Sequence, residues 1–343
     1  MVEFKTMRIG YTWMQTPGQY EARWFRESDL DAYIEGLNRT LYYDYSERLF
    51  RWKFGENPHA LGFPTIAVVE HIPTGRPVAF NSFLPMRVRR GDDCFTVIQG
   101  CDGFVDESHR RQGLFQTTLN FMAEEMRGRS PEILIGFNLV EAAGAARKAG
   151  SAFAHDVDRF VMERSVFKGL RDSAGVTLEP IDQETLSGLY EEWASGSPLL
   201  HVHRSLSYTR WYNGNPLRST QTYEVHSRGG RVGYLVVDEI VEGGQLGLTI
   251  EDYPPGMLSG GLLRGIVAHL SEANPGVATV DIYTQRGDAL EPELAGMGFS
   301  VAPWFKVIMK ALNVAVQEES RVLRKGLALS DTGNWHLTAG DIY

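Results

Sequence analysis

The stretch that decides the fold is Gly103-Phe104-Val105-Asp106-Glu107-Ser108-His109-Arg110-Arg111-Gln112-Gly113-Leu114-Phe115. An apolar run ends at Val105, a polar segment with two arginines follows, and a helix-like run opens at Gly113 and continues through Thr117, Leu119, Asn120, Phe121 and Met122. A strand that turns through such a loop into a helix makes an anion cradle. The first N–H groups of the helix lack partners, the helix dipole adds partial positive charge, and arginine adds full charge. Gly113 lets the backbone approach a phosphate with no Cβ in the way. The bland alternative is a strand–turn–helix with a surface arginine pair, since the short pattern alone is weak and only its flanks give it weight.

Working outward, Tyr20 to Phe25 reads as a strand and Asp29 to Leu41 as a helix. Thr65 to Glu70 and Val78 to Phe80 form a hairpin about Gly75-Arg76. Cys94 to Val105 is a long strand, Gly113 to Arg127 a helix, and Ile133 to Phe137 a buried strand. Glu141 to Ala149 is a short Ala-rich helix stopped by Gly150, and Ala152 to Met162 is a closing strand.

The plan then repeats. Arg51-Trp52-Lys53-Phe54-Gly55-Glu56-Asn57-Pro58 is echoed by Arg210-Trp211-Tyr212-Asn213-Gly214-Asn215-Pro216, and each copy precedes a strand, a Gly-Arg turn and a second strand. In the second half Thr185 to Ala194 and Leu258 to Leu270 read as helices, and Gly247 to Glu251 and Val277 to Tyr283 as strands. Leu294-Ala295-Gly296-Met297-Gly298-Phe299 repeats the helix–Gly–Phe ending of Ala149-Gly150-Ser151-Ala152-Phe153. The turn matching the arginine loop is Asp252-Tyr253-Pro254-Pro255-Gly256-Met257, with no Arg or Gln and two prolines that remove donors.

The loop and the element order β-α-β-β-β-α-β-α-β resemble the GNAT acyltransferases, whose pyrophosphate motif is Arg/Gln-x-x-Gly-x-Gly/Ala. Phe115 stands where that motif ends in a small residue. The paired copies are similar to the tandem type with a cofactor-free second copy, as in the Eis family. The resemblance implies an α/β (α+β) fold of two tandem GNAT domains, each a mixed, mostly antiparallel sheet flanked by helices. Its boundaries would be 1–163 for the copy with the acyl-CoA site, 164–177 for a linker, 178–312 for the degenerate copy and 313–343 for a tail.

The resemblance further implies acetyl-CoA, or another acyl-CoA, as co-substrate. The backbone of Gly103, Phe104 and Val105 would pair with the pantetheine arm, and Arg110, Arg111, Gln112, Gly113, Leu114 and Phe115 would hold the pyrophosphate. Asn138 matches a residue that contacts the arm, with a helix N-cap as the equal alternative. The reaction needs a base for the amine and an acid for the leaving thiolate. Asp102 is the nearest carboxylate, yet Gln99, Cys101 and Gly103 share one strand face, so Asp102 reaches it only through a bulge. A structural buried aspartate is the competing reading. The family's acid is a Tyr after Asn138, where this chain has Ala142, Ala143 and Ala145, leaving Tyr42, Tyr43 or water. Asp341 or the Tyr343 carboxylate in the aromatic tail is a second base candidate, against simple docking of the tail.

Composition bounds the rest. The net charge of −9 argues against nucleic acid or an anionic membrane as partner and is compatible with a small cationic amine acceptor. No apolar run approaches the roughly 18 residues that span a bilayer, and no secretory h-region follows Met1. Cys94 and Cys101 lie about 23 Å apart on an extended strand, so they stay reduced, as in the cytoplasm. No metal site is expected. His201-Val202-His203 reads as a half-exposed strand edge. An acyl-CoA-dependent N-acyltransferase is the leading function. A silent acyl-CoA-binding scaffold and an enzyme using longer acyl-CoA or a carrier-protein thioester are the alternatives.

Overall fold

The computed structural model describes residues 18–41, 44–259, 261–318 and 321–342. The first half runs β1 (Tyr20–Trp24), α1 (Leu30–Leu41), α2 (Glu47–Phe50) with a wide π-type turn over Arg51–Gly55, β2 (Ile66–His71), β3 (Arg76–Arg90), β4 (Asp93–Val105), α3 (Leu114–Glu125), β5 (Ile133–Asn138), α4 (Val140–Lys148) and β6 (Ala152–Glu163). After α5 (Arg164–Phe167) the second half runs β7 (Thr177–Pro180), α6 (Gln183–Ala194), β8 (His201–Val202), α7 (Leu206–Asn213), β9 (Ser219–Ser227), β10 (Gly230–Glu242), β11 (Gln245–Asp252), α8 (Gly261–Ala273), β12 (Thr279–Gln285), α9 (Glu291–Met297) and β13 (Ser300–Ala311).

The two copies share one continuous sheet in the order β1-β2-β3-β4-β5-β13-β6-β12-β11-β10-β9-β7, with β8 paired to β3. β4 pairs parallel to β5, and β11 parallel to β12, as the shared plan requires. The last strand of each copy crosses into the other. β13 lies between β5 and β6, and β6 lies between β13 and β12. Segment 164–177 is packed rather than loose, burying Phe167, Leu170 and Val176 in the second core.

Patterning explains the middle of the sheet. On β5, Ile133 and Ile135 face one apolar cluster and Leu134 another, so both faces are covered and the strand reads as an unbroken apolar run. The sequence repeat marks the pseudo-twofold axis. The equivalent residues Trp52 and Trp211 stack with ring centroids 4.8 Å apart and planes 8° from parallel. Trp52 Nε1 donates to the Trp211 carbonyl at 2.7 Å, and Trp211 Nε1 donates to the Trp52 carbonyl at 2.8 Å. Both helix–Gly–Phe endings end on a left-handed glycine, Gly150 and Gly298.

Two sequence expectations shift. Helix α8 begins at Gly261 rather than Leu258, because residues 257–259 are consumed by the turn after Pro254-Pro255 while Leu258 is buried in the core. His201 and Val202 are buried rather than half exposed, because β8 pairs with β3 of the other half and Trp193 packs on the His201 ring.

Candidate active site

The loop is held from several sides. Asp106 N donates to the Val78 carbonyl at 2.8 Å, and the Asp106 carboxylate accepts from Arg39 at 2.6 Å. His109 Nδ1 lies 2.9 Å from the Tyr20 hydroxyl. Arg111 takes φ +63° and Gly113 φ +79°, two left-handed residues that turn the chain into α3. Gly113 is the helix N-cap and offers no side-chain acceptor to the first-turn N–H groups. Arg110 and Arg111 are exposed, and Arg110 Nε donates to the Val105 carbonyl at 3.2 Å. Gln112 Oε1 is buried without a hydrogen-bond partner. These features suit a phosphate-bearing ligand: the loop offers the first-turn backbone donors of α3 beside two exposed arginines.

Strands β4 and β5 part beside this loop. Their pairing runs from Val97↔Ile133 to Gly100↔Gly136 and stops there. Beyond it, Cys101 to Val105 stay with β3 while Phe137 and Asn138 stay with β13. The gap opens into a cleft of 630 Å³ lined on one side by Gly100, Cys101, Asp102 and Gly103 and on the other by Gly136, Phe137 and Asn138. Phe115 and Leu119 of α3 line the same space. Asn138 does not cap a helix: Leu139 is the N-cap of α4, and Asn138 Oδ1 is buried without a partner beside the gap. Phe104 and Leu114 put their side chains into the core, Phe104 against Phe80 and Leu114 with Tyr20 and Val78, so only their backbone groups remain for a ligand.

Asp102 reaches the cleft through a bulge. Asn81 pairs with Gly103 and Ser82 with Cys101, which leaves Asp102 as the extra residue. Its carboxylate Oδ2 lies 2.6 Å from Lys53 Nζ, and both side chains are 8% exposed. Burial opposes the charge on Lys53, but Asp102, Cys101 and Tyr45 outweigh it and hold its pKa up. Burial pushes the Cys101 thiol up to about 12 and raises the Tyr45 and Tyr33 hydroxyls too. Lys53 was invisible as a site residue in sequence, where it appears as one polar position of a repeated motif. The only signal was that the second copy has Tyr212 there.

Asp341, expected as a second candidate base, does not itself line the cleft, although its neighbours Ala339 and Ile342 do. It is 1% exposed, accepts from Arg204 at 2.8 Å and from Thr338 N at 2.9 Å, and shares Arg204 with Asp252. The tail is docked: Trp335 and Leu337 are buried, Gln285 Nε2 donates to the Trp335 carbonyl, and His336 Nε2 lies 2.7 Å from the Tyr253 carbonyl. Its last turn lies against β11 and β12, and Ala339 and Ile342 beside it line the cleft. Tyr343, Tyr42 and Tyr43 lie outside the described residues.

The far wall of the cleft comes from the second copy. Asp238, Glu239, Ile240 and Val241 of β10 and Glu251 of β11 line it with Arg218 and Leu217. Glu251 Oε2 accepts from Tyr212 at 2.6 Å and from Arg218 at 3.0 Å. Burial pushes Asp238 up to about 6, Arg218 opposing and Glu251 adding to the rise. The sequence reading missed this wall, since Asp238-Glu239 and Glu251 lie on two strands that only the β10–β11 pairing brings together. Among the described residues no His/Cys/Asp/Glu group could hold a metal ion, and no helix is long and apolar enough to cross a membrane.

A helix-flanked, mostly antiparallel sheet built twice, with parallel central strands parting beside an arginine-bearing loop, is the tandem form of the GCN5-related N-acetyltransferase (GNAT) fold. Solved structures bear this out. A GCN5-related N-acetyltransferase from Anabaena variabilis superposes with a TM-score of 0.63 at 14% identity, over 86% of this chain and 73% of that one. One from Kribbella flavida gives 0.56 at 14% identity, over 85% and 71%. Eis1 from Mycobacterium abscessus gives 0.53 at 13% identity, over 85% and 74%. The chain thus has the tandem, Eis-like GNAT fold, and at these identities the likeness is one of fold. No family profile and no curated protein matches the sequence.

Proposed function

We propose that this protein is an acyl-CoA-dependent N-acyltransferase that transfers an acetyl or longer acyl group to a primary amine of a small metabolite, by direct attack within a ternary complex. The observation that carries the reading is the parting of β4 from β5 after Gly100 and Gly136, beside the Arg110–Gly113 loop. The loop would take the pyrophosphate. The free edge at Gly103, Phe104 and Val105 would pair with the pantetheine amides as an added strand does, and Asn138 would meet them from the other side. Val105 to Asp102 is three residues, about 10 Å of strand, so an arm entering at the loop runs toward Asp102.

Asp102 is the base in this account. The amine nitrogen bonds to the thioester carbon, the C–S bond breaks, and the amine proton passes to the Asp102 carboxylate. Acceptors enter past Asp238, Glu239 and Glu251, where Arg218 offsets part of the charge and the remaining negative excess favours a cationic amine such as an amino sugar or an amino-acid derivative. The two unbridged thiols fit the reducing cytoplasm as the place of action.

The test is release of free thiol from acetyl-CoA and longer acyl-CoAs against a panel of amines, with product mass as the second readout. Amine-dependent release with an N-acylated product supports the reading. Tight CoA binding with no release from any pairing makes the protein a silent acyl-CoA binder.

A further inference from the structure

The proposed reaction has a base in Asp102 but no acid at the place where the family resemblance expects one, since α4 carries Ala142, Ala143 and Ala145. Thiolate expulsion is helped by a proton donor close to the sulfur. The Lys53–Asp102 pair is the one feature of the cleft that the proposed function leaves half used.

Lys53 is an awkward residue to bury. It lies in the wide turn after α2 and is 6% exposed, and its ammonium lies 2.6 Å from the Asp102 carboxylate. Buried ion pairs of this kind are weak stabilisers, and well-packed apolar replacements often serve stability as well or better. The groups around the pair, Cys101, Tyr45 and Tyr33, are thiols and phenols kept neutral by burial. The Lys53–Asp102 couple is the ion pair beside the free edge of β4, and both residues line the cleft.

We propose that Lys53 is a catalytic residue that protonates the leaving thiolate, and that the Lys53–Asp102 pair relays the acceptor's proton to sulfur. This rests on the N-acyltransferase reading above. The balance is complete without any added reagent. As the amine nitrogen bonds to the thioester carbon, its proton moves to Asp102, the C–S bond breaks, and the electron pair leaves on sulfur. Lys53 gives one proton to that thiolate, and the proton on Asp102 crosses their hydrogen bond to restore the ammonium. The order is built in. While Asp102 is ionised it holds the Lys53 proton against burial; once Asp102 is protonated that attraction is lost, and burial weighs more heavily against the charge. The ammonium thus becomes a stronger acid when the leaving group needs its proton.

The test uses the full chain, Lys53→Met and Lys53→Arg, with two donors and one acceptor. The acceptor is whichever of ethanolamine, 1,4-diaminobutane, glucosamine or lysine wild-type protein acylates fastest. The donors are acetyl-CoA and 4-nitrothiophenyl acetate, whose leaving thiolate needs no proton. With acetyl-CoA, kcat should fall about 10²–10⁴-fold in both variants while calorimetric CoA affinity is unchanged. With the activated thioester the loss should be under about tenfold. Lys53→Arg keeps the charge and the pairing but does not give up its proton, so it separates proton donation from support of Asp102. Equal losses with both donors, or wild-type activity in Lys53→Arg, would overturn the assignment and leave the acyltransferase reading standing. A wild-type protein that acylates none of the four amines would remove both.

Discussion

The repeat makes a demanding prediction at its own axis, Trp52 and Trp211. Trp52→Phe deletes the Nε1 donor and leaves the Trp211 carbonyl without its 2.7 Å partner in a region where Trp52 is 1% exposed. The Trp211 carbonyl keeps the Gly214 N–H at 3.0 Å, so the loss is one net hydrogen bond, about 0.5–1.5 kcal/mol. Shrinking indole to phenyl adds about 1–2 kcal/mol for lost burial and cavity. The single substitution should therefore cost about 1.5–3.5 kcal/mol. Trp211→Phe breaks the mirror-image bond of 2.8 Å and should cost a similar amount. The rings stack at 4.8 Å, so the double substitution should cost less than the sum by about 0.5–1.5 kcal/mol, the worth of an aromatic pair beyond its area. Urea unfolding followed by far-ultraviolet circular dichroism measures all three. It should show one transition, because β13 and β6 each lie in the other copy's sheet. Additive losses, or single losses differing by more than about 2 kcal/mol, would refute the reciprocal axis.

Three further outcomes follow from the site and the core. Arg110→Ala should weaken CoA binding by about 1.5–3 kcal/mol yet leave pantetheine binding nearly unchanged, since only CoA carries the pyrophosphate; equal losses in calorimetry would place Arg110 elsewhere. Asp102→Asn should keep CoA affinity and lower kcat about 10²–10⁴-fold, and unchanged kcat would remove it as base. His155 is 5% exposed with neither ring nitrogen hydrogen-bonded, and burial lowers its pKa to about 4 despite the nearby Asp156. Between about 4 and the unfolded value near 6.5 only the unfolded chain takes the proton, so stability is full above 6.5 and lost as pH falls. His155→Phe should therefore gain about 2 kcal/mol on wild type between pH 7 and pH 5 in urea melts, and a constant difference would contradict the neutral buried histidine.

Much of this architecture was legible before any coordinates. The arginine loop, the helix–Gly–Phe endings at Gly150 and Gly298 and the Trp52/Trp211 echo each carry a local physical signal, and they fall at the turn into α3, at two helix ends and at a stacked pair. The strand exchange was not legible. β5 is apolar on both faces, which fixes burial but says nothing of whether β6 or β13 lies at its edge. Asp102 was readable only up to its parity, because a bulge opposite Asn81 and Ser82 leaves no mark in the side-chain pattern. Lys53 carried no signal of burial, since a lysine in a polar turn is normally solvated. The aromatic tail announced docking through Trp335, but the sequence could not show that Arg204 takes up the Asp341 carboxylate.

The central claim is that the first copy alone holds an acyl-CoA through the Gly113 cradle. Calorimetric titration of CoA into the full chain tests it most directly, run beside Gly113→Val, where a β-branched side chain meets φ +79° at the phosphate-facing turn. The account predicts one site per chain in wild type and no measurable binding in the variant. Two sites, none in wild type, or undiminished affinity in Gly113→Val would contradict it.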